Sequence, residues 1–342
     1  MPTIDEIARL ARVSPATVSK VLNNRPYVSS ATRARVERVI AETGFVPSQW
    51  ARLLSQRRSY ILGLLIPYTS DQLFADPHLL EVMRGIEAGA NRHEYNLLLS
   101  TARAPIEAAS AATRLLRSDV IDGAVVVETL DLRAFAETLG SQPSPWVVIG
   151  YAPSGAVPAV HADDYGGALA AARHLIAMGH TRIGVVSSSP RPYALDERMR
   201  GLRDAQSEAG LGLDEALLAT GDFSTESGEA AGHALLGHPS PPTAIFALND
   251  RMAIGVARAA MARGLSVPGD LSVVGFDDIA LATMLTPPLT TVRQPGYRLG
   301  EAAADALFAL LGGDAGPAPA VIPTELIVRG TVAPPRARKG GG

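Results

Sequence analysis

The 342-residue sequence predicts an α/β protein: a small all-α head, then a larger body of two lobes built on parallel sheets. Three observations carry that reading. From residue 60 onward, short apolar runs alternate with Ala-rich, helix-forming stretches, the pattern of strands buried on both faces and covered by helices. Before residue 47 the pattern differs, with side-chain caps opening short helical stretches. The charge divides at nearly the same place. Residues 1–60 carry ten Lys/Arg against four Asp/Glu, a net +6, and the other 282 carry 21 against 30, a net −9.

In the head, Thr3-Ile4-Asp5-Glu6 has the form of a capping box, and Ile7, Ala8 and Leu10 give a first helix its apolar face. Arg12 and Val13 form a turn. Ser14 then caps a second helix starting at Pro15, where a missing N–H costs nothing. Val18, Val21 and Leu22 share one face, which leaves Ala16, Ser19 and Lys20 toward solvent. A third helix opens at Ser29, turns Val36, Val39 and Ile40 inward with Arg33, Arg35 and Arg38 around the rest, and stops at Gly44. Two short helices joined by a tight turn make a helix-turn-helix. A bare three-helix bundle would explain the helices but not the charge. A basic head on an acidic body is the electrostatic footprint of a nucleic-acid-binding module.

Residues 47–59 join head to body. Residues 47–54 span about two helical turns, too few to persist alone in water, and 55–59 read as a polar, basic linker. Trp50, Leu53 and Leu54 either pack on a neighbouring domain or fold against DNA, where apolar side chains wedge between minor-groove base steps.

In the body, strands are predicted at 61–66, 96–100, 123–127, 146–150, 183–186, 244–247 and 272–276, with helices at 77–94, 106–117 and 166–178. That is too many strands for one small sheet, hence two lobes. Ligands of such folds bind beyond the carboxyl ends of strands or in a cleft. Asn249-Asp250 and Asp277-Asp278 stand at two such ends, and Arg198 follows soon after a third. Carboxylate, guanidinium and amide groups converging on a cleft hold hydroxyls or a polar ring. Singly, Asp250 and Asp278 read as structural caps or surface pairs.

Several classes are disfavoured. The chain has no Cys, so neither disulfides nor thiol chemistry. No apolar run reaches the length of a membrane span, and the first residues lack a signal-peptide pattern, so the expected location is the cytoplasm. No nucleotide-binding glycine motif, zinc-protease helix or nucleophile elbow occurs. No catalytic residue, metal or cofactor is therefore expected. The seven His show no metal-ligand spacing. His174 and His180 flank the end of an Ala-rich helix, where dipole compensation or plain exposure explains them. Residues 333–342 read as a disordered tail.

Beyond composition and spacing, the head closely resembles the lactose-repressor family of bacterial transcription regulators. The resemblance rests on Asp5-Glu6-Ile7-Ala8, Val13-Ser14, Thr17-Val18-Ser19-Lys20-Val21-Leu22-Asn23, Val28-Ser29, Thr32-Arg33 and Gly44-Phe45-Val46-Pro47. It continues through Asp122-Gly123, Asp163, Gly179-His180, Arg198, Asn249-Asp250, Val273-Val274-Gly275-Phe276-Asp277-Asp278 and Glu325-Leu326-Ile327-Val328-Arg329.

The resemblance implies a homodimer on a palindromic double-stranded DNA operator. Pro15, Ala16 and Lys20 would read bases in the major groove. Ser14, Thr17, Ser19, Asn23 and Arg33 would touch phosphates or support the turn. A hinge helix with Ser48, Ala51 and Leu54 would lie in the minor groove, Leu54 as wedge. The body would be periplasmic-binding-protein-like, with an amino lobe of about 60–160 and 292–320 and a carboxyl lobe of about 162–290 and 322–332. Arg198, Asn249 and Asp277 would hold a small effector, a sugar first and a nucleobase or nucleoside second.

Departures from the family pattern matter. Arg12 stands where the family usually has Gly, so the turn must accept a side chain, or it adds a phosphate contact. Ser48 replaces the usual hinge Asn. Pro15-Ala16 lacks side-chain donors, so readout there would be apolar. No leucine heptads follow Arg329, so a tetramer-forming tail like the founding member's is not expected. The competing reading is a small-molecule binding protein of the periplasmic type without DNA function, which leaves the basic head unused.

Overall fold

The computed structural model describes residues 2–22, 26–45, 58–101, 108–118, 120–127, 144–152, 157–189, 192–314 and 320–336. The chain forms two compact units, Met1–Ser59 and Tyr60–Gly342.

In the first unit, α1 (Ile4–Ala11) starts at Thr3, whose hydroxyl accepts the Glu6 amide at 3.3 Å. It ends at Arg12, a non-glycine residue at φ 52°, ψ 49° whose amide donates to the Ala8 and Arg9 carbonyls. Helix α2 (Pro15–Leu22) follows a Ser14 cap that accepts the Thr17 amide at 3.2 Å. Helix α3 (Ser30–Thr43) is capped by Ser29 and stopped by Gly44 at φ 62°. Ile7, Ala8, Ala11, Val18, Val21, Val36 and Phe45 meet as the core, with Leu22 half-buried against it. The hinge stretch 46–57 lies outside the described residues.

The second unit holds two six-stranded sheets. Amino-lobe elements come first: β1 (Ile61–Ile66), α4 (Ser70–Phe74), α5 (Pro77–Arg92), β2 (Asn96–Thr101), α6 (Ala108–Arg117), β3 (Gly123–Val127), β4 (Trp146–Ile149) and β5 (Ala159–Ala162). The chain then passes to the carboxyl lobe: α7 (Asp164–Ala177), β6 (Ile183–Ser188), α8 (Tyr193–Glu208), β7 (Leu218–Gly221), α9 (Thr225–Leu236), β8 (Ala244–Ala247), α10 (Asp250–Ala262), β9 (Ser272–Asp277), α11 (Ala280–Met284) and β10 (Thr290–Arg293). It returns for α12 (Gly296–Leu311) and β11 (Ala320–Ile322), and passes over once more for β12 (Glu325–Ile327). Strand order is β11-β5-β4-β3-β1-β2 in one sheet and β12-β10-β9-β8-β6-β7 in the other. Pairing is parallel throughout except β10 with β12. The lobes are thus joined by three strands of chain, after β5, β10 and β11.

Central strands are apolar because both faces are covered; β3, β4 and β8 are buried at every position. Helices cover the sheets as close pairs. A Cβ at Gly300 would lie 2.0 Å from the Val82 carbonyl oxygen, and one at Gly85 2.0 Å from that of Tyr297. Only glycine allows α5 and α12 to approach so far. Gly255 plays the same part between α9 and α10, 2.1 Å from the Thr225 oxygen.

Two expectations are corrected here. His180 is neither exposed nor a dipole partner: it is 1% exposed, its Nδ1 lies 2.9 Å from Thr243 Oγ1, and its Nε2 lies 3.0 Å from both Ser272 Oγ and the Ala333 carbonyl. The imidazole is a buried connector between the end of α7, the sheet and the carboxyl-terminal chain. Nor is the tail free from residue 333. Ala333 donates to Ser272 Oγ at 3.1 Å, and Arg336 pairs with Asp270; residues 337–342 lie outside the described residues.

Candidate functional site

Two places bring polar groups together, one on each unit. On the head, α2 turns Pro15, Ala16 and Lys20 outward, while Val18 and Val21 are buried. Ser14 Oγ lies 2.9 Å from Thr17 Oγ1, so the two hydroxyls support the turn together. Ser19 is half-buried. Arg33 is half-buried too, and its Nη1 donates to the Val21 carbonyl at 3.4 Å. Arg35 Nε donates to the Ala11 carbonyl at 2.8 Å. These carbonyls end α1 and α2 without helical partners, and a guanidinium satisfies each. Arg33 therefore braces α2 in addition to any outside contact. Asn23, Ser48, Ala51 and Leu54 lie outside the described residues.

The second place is between the lobes, where strand ends of the carboxyl lobe meet the start of α5. Arg198 sits in the second turn of α8, 6% exposed. Its Nε donates to Asp164 Oδ1 at 2.8 Å, and its Nη1 donates to the Leu248 carbonyl and lies 3.8 Å from Asp277 Oδ1. Its guanidinium carbon lies 3.7 Å from the centre of the Phe276 ring, a desolvated cation–π contact.

Asp277, at the end of β9, accepts from Gln294 Nε2 at 2.8 Å. It has φ 116° and its neighbour Asp278 has φ 57°. Two successive non-glycine residues at positive φ persist only where the surroundings fix them. Here Asp278 is fixed by Arg293 at 2.9 Å and Arg329 at 2.5 Å.

Burial pushes the Asp277 carboxyl up to about 7; Arg198 opposes this, while Asp76 and Asp164 reinforce it. Burial also raises Asp164, against the pull of Arg198. Asp250, fully buried, accepts from Thr291 Oγ1 and from the Ile279 amide, and burial followed by Asp277 raises it well above the usual carboxylate range. Asp250 and Asp278 thus hold the turn after β9 and do not face the cleft as ligand groups.

Asn249 caps α10: its Oδ1 accepts the Met252 amide at 2.9 Å and its Nδ2 donates to the Phe223 carbonyl at 3.1 Å. Of the three expected effector residues, Arg198 and Asp277 meet directly. Asn249 follows Leu248, the Arg198 acceptor, but directs its amide to backbone.

The amino lobe contributes groups the sequence reading did not name. Asp76 caps α5, accepting the His78 amide at 2.9 Å. His78 feels both Arg198 and Asp164 across the gap, and burial lowers its pKa, keeping it neutral near pH 7. Tyr151, after β4, stacks on His161 at 4.0 Å and reaches Tyr193 of the other lobe at 4.8 Å. Asp164 was also missed. Its neighbour Asp163 merely caps α7, accepting the Gly166 amide at 2.8 Å. The available signal was position: Asp76, His78 and Asp164 stand at helix starts, and Tyr151 lies two residues after β4.

The cleft thus offers carboxylates that accept hydroxyl protons, a fixed guanidinium, a neutral imidazole and aromatic faces. Among the described residues no group of three His, Asp or Glu could hold a metal ion, and no helix is long and apolar enough to cross a membrane.

Comparison with known proteins gives the same picture. Residues 3–48 match the family described as bacterial regulatory proteins, lacI family, and residues 172–332 match the periplasmic binding protein-like domain. The chain is 34% identical over 331 residues to the HTH-type transcriptional repressor CytR of Escherichia coli (strain K12), covering 96% of each chain. It is 35% identical over 310 residues to the ribose operon repressor of the same strain, covering 90% of this chain and 92% of that one. The crystal structure of the lac repressor dimer bound to operator and the anti-inducer ONPF superimposes with a TM-score of 0.87 at 26% identity, covering 97% of this chain and 99% of that one. With its helix-turn-helix head and its two-lobed body, the chain belongs to the lacI family of bacterial regulatory proteins, which are ligand-responsive DNA-binding repressors and not enzymes.

Proposed function

We propose that this protein is a cytoplasmic transcriptional repressor that holds a palindromic operator as a homodimer and is controlled by a sugar bound between the lobes. Residues 1–46 read DNA, 47–59 form the hinge, and 60–332 bind effector and dimerise. Pro15, Ala16 and Lys20 face the bases. Ser14, Thr17, Ser19, Asn23 and Arg33 position the helix on the backbone, and Ser48, Ala51 and Leu54 serve the minor groove. Arg198 and Asp277 hold effector hydroxyls, with Asn249 shaping the wall beside them.

The observation that carries the effector reading is the buried Arg198–Asp164–Asp277 cluster at the cleft. A fixed donor flanked by carboxylate acceptors matches vicinal hydroxyls, each both donor and acceptor. The effector acts only through its different affinity for two lobe arrangements, and a coupling of about 1–3 kcal/mol changes DNA affinity some 5–150-fold. The test is a mobility shift of the full chain on duplexes enriched from a random-sequence pool, repeated with a panel of pentoses, hexoses and nucleosides. A change in affinity with one sugar class and none with Asp277→Ala supports the reading. Retention of every response by that variant refutes the site.

A further inference from the structure

Arg12 closes α1 in the left-handed region, at φ 52° and ψ 49°. There an L side chain is strained, because Cβ crowds the following carbonyl. Glycine makes such a stop without that strain, and Gly44 does so at the end of α3, at φ 62°. The turn itself uses only the Arg12 backbone, whose amide donates to Ala8 and Arg9. The side chain is exposed, takes no part in the head core, and makes no hydrogen bond or ion pair among the described residues. Two neighbouring cations are engaged instead: Arg33 and Arg35 donate to the carbonyls that end α2 and α1. A strained position is therefore occupied by a cation that has no partner among the described residues. It lies three residues before Pro15, so its Cα is within about 11 Å of the start of the outward-facing helix.

We infer that Arg12 is an additional DNA-backbone contact, its guanidinium pairing with a phosphate beside the entry of α2. The inference rests on the DNA-binding reading of the head. An arginine fork suits phosphate oxygens, and such a contact fixes position on the duplex without reading sequence. In a dimer it occurs twice, once per half-site.

The test uses the full chain and a fluorescein-labelled duplex enriched by the wild-type protein from a random-sequence pool. Binding is followed by anisotropy between 50 and 200 mM salt. Each phosphate neutralised contributes about 0.9 to the slope of log affinity against log salt, so Arg12→Gly should lower the slope by about 2. Affinity near 0.1–0.15 M salt should fall on the order of 10- to 50-fold, alike on enriched and scrambled duplexes. Arg12→Lys keeps the charge and should keep most of the slope. Because Arg12→Gly relieves backbone strain, hydrogen exchange of α1 and α2 amides should be at least as slow as in the wild type. Unchanged affinity and slope in Arg12→Gly would overturn the proposal, as would faster exchange of those amides with equal loss in Arg12→Lys. Failure of the wild-type protein to enrich any duplex would instead remove the DNA-binding reading, and this inference with it.

Discussion

Replacing Arg198 by Met tests whether the cleft is a locked ionic cluster. The side chain is 7% exposed and its partner Asp164 is 3% exposed, so this pair lies away from solvent. Removing one member of a buried pair leaves the other uncompensated and costs about 3–5 kcal/mol. Met keeps most of the volume, so the loss reports charge and hydrogen bonding more than packing.

The pH dependence identifies the cause. Burial already raises the Asp164 carboxyl, and Arg198 is the chief group holding it down. Without Arg198 the folded-state value climbs further above the unfolded one. A raised folded value favours the protonated protein, so stability is retained at low pH and lost as pH rises through that value. The deficit of Arg198→Met relative to wild type should therefore be smaller at pH 5 than at pH 8. Urea unfolding of the full chain, followed by circular dichroism at both pH values, measures it. Adding Asp164→Leu to Arg198→Met should recover most of the loss, because the orphaned carboxylate is gone. A deficit below about 1 kcal/mol that is equal at both pH values, with no recovery in the double variant, would refute the cluster as described.

Asp277 titrates near pH 7, raised chiefly by burial. Its contribution to the ligand-free protein is thus lost as pH rises from about 4 to about 7. A sugar hydroxyl donating to its ionised form should bind more tightly from pH 6 to 8 and expel a proton near pH 6. Calorimetry in two buffers of different ionisation heat checks this; a flat profile would exclude Asp277 as acceptor. Lys20→Ala should relax base preference by about 1–3 kcal/mol at one position of each half-site if Lys20 reaches guanine. Arg33→Ala, which frees the Val21 carbonyl, should weaken all sequences alike, and selection from a random pool distinguishes them. Gly300→Ala drives a methyl into the Val82 carbonyl and should destabilise the amino lobe by about 2 kcal/mol or more, seen as faster hydrogen exchange in α5 and α12.

The fold class was legible because head and body use different periodicities. Thr3, Ser14 and Ser29 announce helices, and runs such as Ile61–Ile66 announce strands buried on both faces. Weakly patterned elements were not legible. Strands β5, β7, β11 and β12 have three or four residues each, and their pairing is set by long-range register and not by their own sequence. At the site, Arg198 and Asp277 could be named through resemblance. Asp164 could not be told from its neighbour Asp163 by residue type, since one caps a helix and the other pairs across it. His78 was invisible because the groups it meets across the gap, Asp164 and Arg198, stand on α7 and α8, more than eighty residues later. His180 was misread because a histidine after a glycine at a helix end resembles a surface residue until Thr243, Ser272 and Ala333 close around it.

The three passages between lobes bear on how the chain is made. When β5 has emerged from the ribosome, the amino lobe has five of its six strands but lacks α12, whose Leu299, Ala303, Ala306 and Leu307 complete its core. That helix follows the whole carboxyl-lobe segment from Asp164 to Arg293. The first lobe started is therefore the first that cannot finish, and its exposed apolar face must wait for about 130 residues of synthesis. A chain arrested before residue 296 should aggregate, whereas one that extends through residue 336 should fold.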